Sequence, residues 1–259
     1  MDLNELFSLK GKTAIVTGGS RGLGKGMARG LAAAGADIAI VGRDLERAQN
    51  TAKEIAEEFG VRTLAFSADV SKADECVRVV DEIAKEWPEI NILINNAGIC
   101  VNLEAEIVSI EDWDRVIDTN LNSVFYMSQP VGKLMIKQGG GSIINLTSIS
   151  GSIVNNPQPQ ASYNAAKAGG DMLTKCLAAE WVKYNIRVNA IAPGYFDTDL
   201  CRPALDEGNP MGEFWKSCTP MKRAGQPDEL GPLAVYLASD ASSYVTGAVY
   251  RIDGGYTIW

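Results

Sequence analysis

Short runs of apolar residues alternate along this chain with longer amphipathic segments, and that alternation restricts its fold more than any other feature. A parallel strand buried on both faces reads as an unbroken apolar run, whereas a covering helix has apolar residues every three or four positions. Units of this kind, repeated along a chain, form a parallel sheet covered by helices. We therefore predict an α/β fold, a doubly wound parallel sheet of about seven strands with helices on both faces.

The individual elements can be placed from the same pattern. Strands are expected at Thr13–Thr17, Asp37–Val41, Thr63–Ser67, Ile92–Asn95, Ser142–Leu146, Ile186–Ala192 and Ala248–Ile252. Helices are expected at Gly24–Ala34, Leu45–Phe59, Ala73–Glu86, Glu111–Gln138, Ser162–Tyr184 and Asp228–Ala238. The segment near 199–225 lacks periodicity and is rich in Pro, Gly and charge. We expect it to be a substrate lid within one domain that spans residues 1–259.

Composition excludes several kinds of chemistry. The 259 residues include no histidine, which rules out a Ser-His-Asp triad and a His-ligated zinc, and we expect no metal. A net charge of −8 without a basic block argues against a nucleic-acid partner. The five cysteines are dispersed and include no CxxC, so we expect reduced thiols. With no signal-peptide pattern and no long apolar run, the predicted location is cytoplasmic, without a membrane partner.

A glycine-rich segment, TGGSRGLG at residues 17–24, joins the first predicted strand to the first predicted helix. Glycines at such a turn let the backbone approach a pyrophosphate, and the helix N-terminus supplies N–H groups for its charge. A tight turn that needs positive φ is the alternative for an isolated glycine triplet. At this position in the chain the segment predicts a Rossmann-like dinucleotide site.

Tyr163 and Lys167 are four positions apart, so on a helix they share a face. A free tyrosine titrates near 10, and an ammonium beside the phenol favours phenolate and lowers that pKa. In a chain without histidine, a tyrosine tuned in this way is the natural group for proton transfer near neutral pH. Taken alone, the same spacing is also typical of a solvated helix face.

These features occur with further motifs in a fixed order. The sequence resembles the short-chain dehydrogenase/reductase family from Lys12 to Gly255, and the resemblance implies an oxidoreductase that transfers hydride. The matching motifs are residues 17–24, Asp69-Val70, Asn95-Asn96-Ala97-Gly98, Asn120, Ser148, Tyr163 with Lys167, and Pro193-Gly194 followed by Thr198.

The resemblance implies a catalytic role for four residues. Tyr163 would exchange a proton with the substrate oxygen, and Lys167 would also bind the nicotinamide ribose. Ser148 would hydrogen-bond the same substrate oxygen, and Asn120 would hold a water that links Lys167 to solvent. Neighbouring Thr147 also carries a hydroxyl, and the alternative role for Ser148 is a bond to backbone alone.

Other matches imply contacts with the dinucleotide. Asp69 and Val70 would contact adenine, the Asn-Ala-Gly segment would lie under the adenosine ribose or stabilise the central strand, and Thr198 would bind the carboxamide. The implied cofactor contacts are Gly18, Ser20, Arg21, Gly22, Leu23, Gly24, Arg43, Asp69, Val70, Asn96, Ala97, Gly98, Tyr163, Lys167, Pro193, Gly194 and Thr198.

The end of the second strand selects between NAD and NADP. An acidic residue there accepts the ribose 2′-hydroxyl of NAD and repels the 2′-phosphate of NADP. Here Gly42 occupies the position, Arg43 follows it, and Arg21 supplies a second guanidinium. Asp44 would oppose this if it turned inward, but it fits better as the N-cap of the next helix. We therefore predict NADP(H) as the cofactor.

The segment between Ser148 and Tyr163 suggests the substrate. It resembles the Ile-Val-Asn-x-Pro-Gln stretch of family members that act on ketoses and polyols, such as xylulose and sorbose reductases and mannitol dehydrogenases. Asn155, Gln158 and Gln160 can donate and accept hydrogen bonds, as a polyhydroxylated substrate requires. The predicted substrate contacts are Ser148, Asn155, Gln160 and Tyr163. A proline-rich surface turn with solvated amides is the alternative.

Two other functions stay open at this point. A 3-oxoacyl thioester reductase is favoured if the lid is apolar and basic at its entrance, and Phe214, Trp215 and Lys216 fit that description. A dinucleotide-binding regulator without turnover is disfavoured by the complete set of Ser148, Tyr163 and Lys167. Family resemblance also suggests a homotetramer.

Overall fold

The computed structural model describes residues 2–199 and 201–259 and contains one seven-stranded sheet in which every neighbouring pair is parallel. The strand order is β3-β2-β1-β4-β5-β6-β7. The strands are β1 Thr13–Thr17, β2 Asp37–Gly42, β3 Thr63–Ser67, β4 Ile92–Asn95, β5 Gly141–Leu146, β6 Ile186–Pro193 and β7 Val249–Ile252. Strand order reverses between β1 and β4, and a crevice at such a reversal is where doubly wound sheets bind ligands.

Helices cover both faces of the sheet. They are α1 Leu3–Phe7, α2 Gly22–Ala33, α3 Leu45–Phe59, α4 Ala73–Glu86, α5 Ile110–Ile117, α6 Ser123–Gln138, α7 Ala161–Trp181, α8 Arg202–Leu205, α9 Pro210–Cys218 and α10 Gly231–Ala238. One apolar core lies under α2, α3 and α10, and a second lies under α4, α6 and α7. Neighbours in β1 divide between them, with Val16 in the first core and Ile15 in the second. The predicted fold class is confirmed.

The helix expected over Glu111–Gln138 is interrupted. Between α5 and α6, residues Asp118–Asn122 form a π-helical turn, and the buried residue in this turn is Asn120. A π turn inserts one extra residue per turn and rotates the side chains that follow it, which is a common device at functional sites. The two halves therefore present different faces to the sheet than one continuous helix would.

The segment predicted as an irregular lid contains two short helices, α8 and α9. Asn209 caps α9 by accepting a hydrogen bond from the Met211 amide at 3.0 Å. The indole of Trp215 on this helix is buried at 6% exposure, so α9 is anchored by its own side chain. Within the described part of the chain, no helix is both long and apolar enough to cross a membrane.

Candidate active site

The glycine loop, residues 17–24, connects β1 to α2 at the carboxyl edge of the sheet. Gly18 and Gly22 have φ values of +61° and +52°, which glycine adopts without strain. The Gly18 amide donates to the Val41 carbonyl at 2.8 Å, which fixes the loop against the end of β2. Gly22 also begins α2, so the helix N-terminus opens directly onto the loop.

Asn96, directly after β4, clamps this loop. Its Nδ2 donates to the carbonyls of Thr17 at 2.9 Å and Gly18 at 3.0 Å. A Cβ at Gly24 would lie 2.4 Å from that nitrogen, so only glycine fits there. The absence of a side chain at Gly24 therefore leaves room for Asn96 against the loop, and the predicted contribution of Asn96 to cofactor binding would come through the shape of the loop.

The loop after β6 brings Thr198 to the glycine loop. A Cβ built at Gly22 would find only the side chain of Thr198, at 3.5 Å, so the two segments face each other across a narrow space. Arg21 pairs with Asp199 at 3.7 Å. Arg21 therefore contacts the lid, although it was expected to help bind the 2′-phosphate.

The end of β2 is open where a 2′-phosphate is expected. A Cβ at Gly42 would meet only the Ser20 hydroxyl, at 3.9 Å. Arg43 is exposed and has no ion-pair partner within residues 2–199 and 201–259. Asp44 caps α3 by accepting from the Arg47 amide at 3.0 Å, as predicted, and is not turned into this space.

The adenine end of the predicted site lies after β3. Oδ1 of Asp69 accepts from the amide of Ser71 at 3.1 Å and from its hydroxyl at 2.8 Å. The Asp69 amide donates to Glu75 at 2.8 Å. Val70 is buried next to it. One carboxylate oxygen of Asp69 is thus used by the turn, and Oδ2 is left for a ligand.

Ser148 follows β5 and begins a short 3-10 turn, Ile149–Gly151. Its Oγ accepts from the Ser150 amide at 3.1 Å and donates to the Ser150 hydroxyl at 3.0 Å. Thr147 instead donates to the Ile191 carbonyl of β6 at 3.3 Å. Ser148 therefore has the backbone bond weighed as its alternative role, and it is also the hydroxyl next to Tyr163.

Tyr163 and Lys167 lie one turn apart in α7. Burial raises the pKa of Tyr163 well above its ordinary value, and hydrogen bonding with Ser148 partly opposes that rise. The Lys167 Nζ lies 5.4 Å from the centre of the Tyr163 ring and donates to the Leu146 carbonyl at 2.8 Å. Burial lowers the pKa of Lys167 to about 8, while Asp171, one turn further along the helix, favours its charged form.

The expected lowering of the Tyr163 pKa is therefore not produced by Lys167 alone. Removal of the phenol from water disfavours phenolate, and hydrogen bonding with Ser148 opposes this only in part. In the protein without cofactor or substrate, Tyr163 carries its proton at neutral pH, which is the state required of a proton donor.

Asn120, in the π turn, holds the chain after β4. Its Nδ2 donates to the carbonyls of Ile99 at 2.8 Å and Val116 at 2.9 Å, and its Oδ1 accepts from the Ile99 amide at 3.3 Å. A Cβ at Gly98 would lie 2.6 Å from that Oδ1 and 3.7 Å from the Lys167 Nζ. Gly98 and Asn120 are thus close to Lys167, and the role expected of Asn120, holding a water that links Lys167 to solvent, stays a prediction.

Four carboxamides, the amide cluster, lie beside this centre. They are Asn155, Gln158, Gln160 and Asn164. Asn155 and Gln158 are buried at 7% and 6% exposure, so the alternative of a turn with solvated amides is wrong for both. Gln160 Nε2 donates its two hydrogens to the side-chain oxygens of Asn155 at 3.0 Å and Asn164 at 2.9 Å, and shares one of them with the Ser150 oxygen at 3.3 Å. The cluster is thereby linked through Ser150 to Ser148.

Tyr195 is a residue of this site that the sequence motifs missed. Its hydroxyl accepts from Asn155 Nδ2 at 3.1 Å and Gln158 Nε2 at 3.0 Å. Its ring stacks on the Trp215 indole with centres 4.0 Å apart and planes at 11°. Tyr195 directly follows Pro193-Gly194, so its place after a motif at the carboxyl edge was the signal that could have found it.

Comparison with known proteins agrees with this geometry. A family model described as Enoyl-(Acyl carrier protein) reductase matches residues 18–257. The sorbose reductase of Candida albicans is 42% identical over 255 residues, which cover 98% of this chain and 89% of the relative. The chain belongs to the short-chain dehydrogenase/reductase family. The resemblance predicted from its motifs is confirmed.

Two further members of the family support the comparison. The NADP-dependent mannitol dehydrogenase of Hypocrea jecorina is 44% identical over 258 residues, covering 98% of this chain and 96% of the relative. The crystal structure of a gluconate 5-dehydrogenase from Burkholderia cenocepacia, in complex with NADP and tartrate, superposes with a TM-score of 0.94 at 37% identity and full coverage of both chains. The chain thus has the fold and length of these short-chain dehydrogenases/reductases.

Proposed function

We propose that this protein is an NADP(H)-dependent oxidoreductase that interconverts a ketose and its polyol. The observation that carries the proposal is the position of Tyr163, which is half-buried between Ser148 and Lys167 and lies next to the amide cluster. A proton donor, a second hydroxyl and a cation meet there beside four carboxamides. This arrangement suits a small carbonyl compound that carries hydroxyls.

The residues present fit a dinucleotide. The glycine loop leaves no room for side chains at Gly18 or Gly24, and its open side faces Thr198. The space beside Gly42 and the unpaired Arg43 suit a 2′-phosphate, in agreement with the NADP named for the Hypocrea and Burkholderia proteins. When bound, NADPH supplies the hydride for reduction of the carbonyl carbon.

Three side chains perform the acid–base part of the reaction. Tyr163 donates its proton to the substrate oxygen, because burial keeps the phenol protonated at neutral pH. Ser148 turns the hydrogen that it gives to Ser150 in the free protein toward the same substrate oxygen. Lys167, held by the Leu146 carbonyl, stabilises the phenolate that remains. Oxidation of a polyol needs phenolate at the start, so we expect that direction to be favoured by alkaline pH.

The relatives favour a sugar-type substrate over an acyl thioester. Sorbose and mannitol are polyhydroxylated, and the names of these two relatives refer to them. The description of the family model names an acyl-carrier substrate, but the lid lacks the basic entrance that an acidic carrier needs. Residues 199–225 contain four Lys or Arg and four Asp or Glu. Lys216 pairs with Glu213 at 3.0 Å, and the Trp215 indole is buried against Tyr195.

A regulator without turnover is the second function weighed from the sequence. Such a protein would bind the dinucleotide but would have no need of a half-buried phenol beside a hydroxyl and an ammonium. Burial of Tyr163 and Lys167 disfavours the charged form of each, a cost that catalysis explains and binding alone does not. Catalysis is therefore the function that we propose.

We further propose a homotetramer that works in the cytoplasm. Exposed apolar side chains on α5 and α6, Ile110, Trp113 and Phe125, would gain from burial against another copy. The C-terminal Ile258 and Trp259 are also exposed. All five cysteines belong to the described residues and are free thiols, which suits a reducing compartment. Light scattering coupled to size-exclusion chromatography tests the tetramer, and a monomer in solution contradicts it.

The experiment for the proposed activity is a substrate panel with both dinucleotides. It compares fructose, sorbose and xylulose with alkyl ketones of the same length and with an acetoacetyl thioester, and it follows NADPH absorbance at 340 nm. We expect kcat/KM for at least one ketose to exceed that for every alkyl ketone, and the matching polyol to reduce NADP⁺ at alkaline pH. Preference for the thioester or for alkyl ketones over all ketoses would refute the ketose assignment and leave hydride transfer standing.

A further inference from the structure

The amide cluster has fixed hydrogen-bond directions, because its ends are groups that can only donate or only accept. The indole N–H of Trp215 is a donor alone, and it donates to Gln158 Oε1 at 3.2 Å. Gln158 must therefore present its NH₂ group to Tyr195. The Ile153 carbonyl is an acceptor alone, and it accepts from Asn164 Nδ2 at 2.9 Å.

The same reasoning orients Asn155. Since Asn164 uses its nitrogen on the Ile153 carbonyl, it presents Oδ1 to Gln160, whose Nε2 then donates to it. That nitrogen also donates to Asn155 Oδ1, so Asn155 must turn its own nitrogen toward Tyr195. Both donors to the Tyr195 hydroxyl are thus fixed from separate ends of the network.

The Tyr195 oxygen consequently has two N–H donors and a single hydrogen of its own to give. Among the described residues, no acceptor for that hydrogen meets hydrogen-bond geometry. Tyr256 packs edge-on against the Tyr195 ring at 5.2 Å, and hydrogen bonding between the two phenols contributes to the pKa of each, so Tyr256 is the competing partner within the protein for the Tyr195 hydrogen. The Trp215 stack and the Tyr256 edge prevent the ring of Tyr195 from swinging away.

Hydrogen bonds connect Tyr195 to the reaction centre. A continuous series of hydrogen bonds runs from Ser148 through Ser150, Gln160 and Asn155 to the Tyr195 hydroxyl. Since Tyr195 is only half-buried, its hydroxyl can face a molecule held between these residues.

We propose that Tyr195 determines specificity as an obligate hydrogen-bond donor, which binds a second oxygen of a substrate whose carbonyl lies at Tyr163 and Ser148. Asn155 and Gln158 are positioning residues in this arrangement: they fill the acceptor side of the Tyr195 oxygen and so direct its hydrogen toward the substrate. The inference rests on the proposed function and refines it. The amides predicted to bind ketose hydroxyls act instead through one phenol.

Tyr195→Phe tests the proposal because it keeps the aromatic stack and removes only the hydroxyl. We expect kcat/KM for 1-hydroxy-2-pentanone and for the best ketose to fall about five- to tenfold or more, and kcat/KM for 2-pentanone to stay within about twofold. Tyr236→Phe, a half-buried phenol that contacts Phe7 and Tyr250, is the matched control and should change neither. An equal loss on both ketones, or no loss on either, overturns the proposal.

Gln158→Glu keeps the Tyr195 hydroxyl but changes the direction in which its hydrogen points. At alkaline pH the introduced carboxylate can still accept from Trp215, but it offers no N–H to Tyr195 and captures the Tyr195 hydrogen instead. We expect kcat/KM for hydroxylated substrates to fall about as far as in Tyr195→Phe, mainly through a higher KM, while kcat/KM for 2-pentanone is unchanged. The double variant Tyr195→Phe with Gln158→Glu should show no further loss. Full preference for hydroxylated substrates in Gln158→Glu contradicts the donor role.

Two other outcomes have separate meanings. If the wild type reduces 1-hydroxy-2-pentanone but no ketose, the ketose assignment fails, and the effect of Tyr195→Phe on that hydroxyketone still decides the inference. If Tyr256→Phe produces the selective loss and Tyr195→Phe does not, the substrate is bound by Tyr256 and the inference is wrong. A wild type that prefers 2-pentanone over every hydroxylated ketone overturns both proposals.

Discussion

Replacing Gly42 with aspartate should shift the cofactor preference of this protein from NADP to NAD. A Cβ at this position meets only the Ser20 hydroxyl, at 3.9 Å, and Gly42 is not in the left-handed region, so the side chain fits without strain. The new carboxylate would stand where the 2′-phosphate is expected, and it could accept from the ribose hydroxyls of NAD.

The size of the effect follows from charge and distance. A carboxylate about 5 Å from a phosphate that carries about two negative charges repels it by roughly 1.7 kcal/mol even at the dielectric constant of water. That energy weakens NADPH binding by roughly 15- to 20-fold, and more where the site excludes water. Arg43→Ala removes a charge-assisted hydrogen bond that, for an exposed arginine, contributes about 1.5 kcal/mol, or roughly tenfold.

Fluorescence titration with NADPH and NADH measures both affinities directly. We expect each variant to weaken NADPH binding, with NADH affinity rising in Gly42→Asp and staying within a few-fold in Arg43→Ala. Arg47→Ala is the matched control, because this arginine is near Arg43 in the first turn of α3 and pairs with Asp44 at 3.4 Å. Equal losses for NADPH and NADH would refute the reasoning and show that Gly42 and Arg43 shape the loop and do not recognise the phosphate.

Three further predictions concern the site and its support. Asp44→Ala removes the cap of α3 and should lower the free energy of unfolding by about 1 kcal/mol in urea melts, whereas Asp44→Asn should be nearly neutral. Gly98→Ala places a methyl group 2.6 Å from Asn120 Oδ1 and should cut kcat severalfold or more; unchanged kcat would contradict the contact. Because burial lowers the pKa of Lys167 to about 8, the unfolded chain binds more protons than the native state above pH 8. From pH 8 to 10, the free energy of unfolding of the wild type should therefore rise relative to that of Lys167→Met by up to about 1.4 kcal/mol per pH unit. A difference between the two free energies that does not change with pH would contradict this.

The strands were predictable because their signal is local. Each predicted strand boundary lies within one residue of the observed one, since burial on both faces produces an apolar run that ends where the strand leaves the sheet. The π turn at Asp118–Asn122 was not predictable in this way. Apolar periodicity indicates which face of a helix is buried. It does not indicate which backbone carbonyl accepts the hydrogen bond of each N–H, and that is what distinguishes a π turn from an α-helix.

The features of the site also differ in whether a local sequence pattern could predict them. Tyr163 and Lys167 could be paired from their spacing, because four residues along a helix fix a shared face. The partner of Arg21 and the role of Tyr195 could not be found in that way. Arg21 meets Asp199, far along the chain, and the direction of the Tyr195 hydroxyl depends on Trp215, a residue of the lid. Such contacts depend on tertiary structure, which no local pattern records.

The most direct test of the central claim is the rate of NADPH oxidation by Tyr163→Phe with the best ketose, measured beside NADPH binding in the same preparation. The variant keeps the ring over which Lys167 lies and loses only the group that donates the proton. We predict that turnover falls by roughly a hundredfold or more while the dissociation constant of NADPH stays within about twofold. Turnover above a few per cent of wild type, roughly the lower limit of a general-acid contribution, would contradict the assignment of Tyr163 as proton donor.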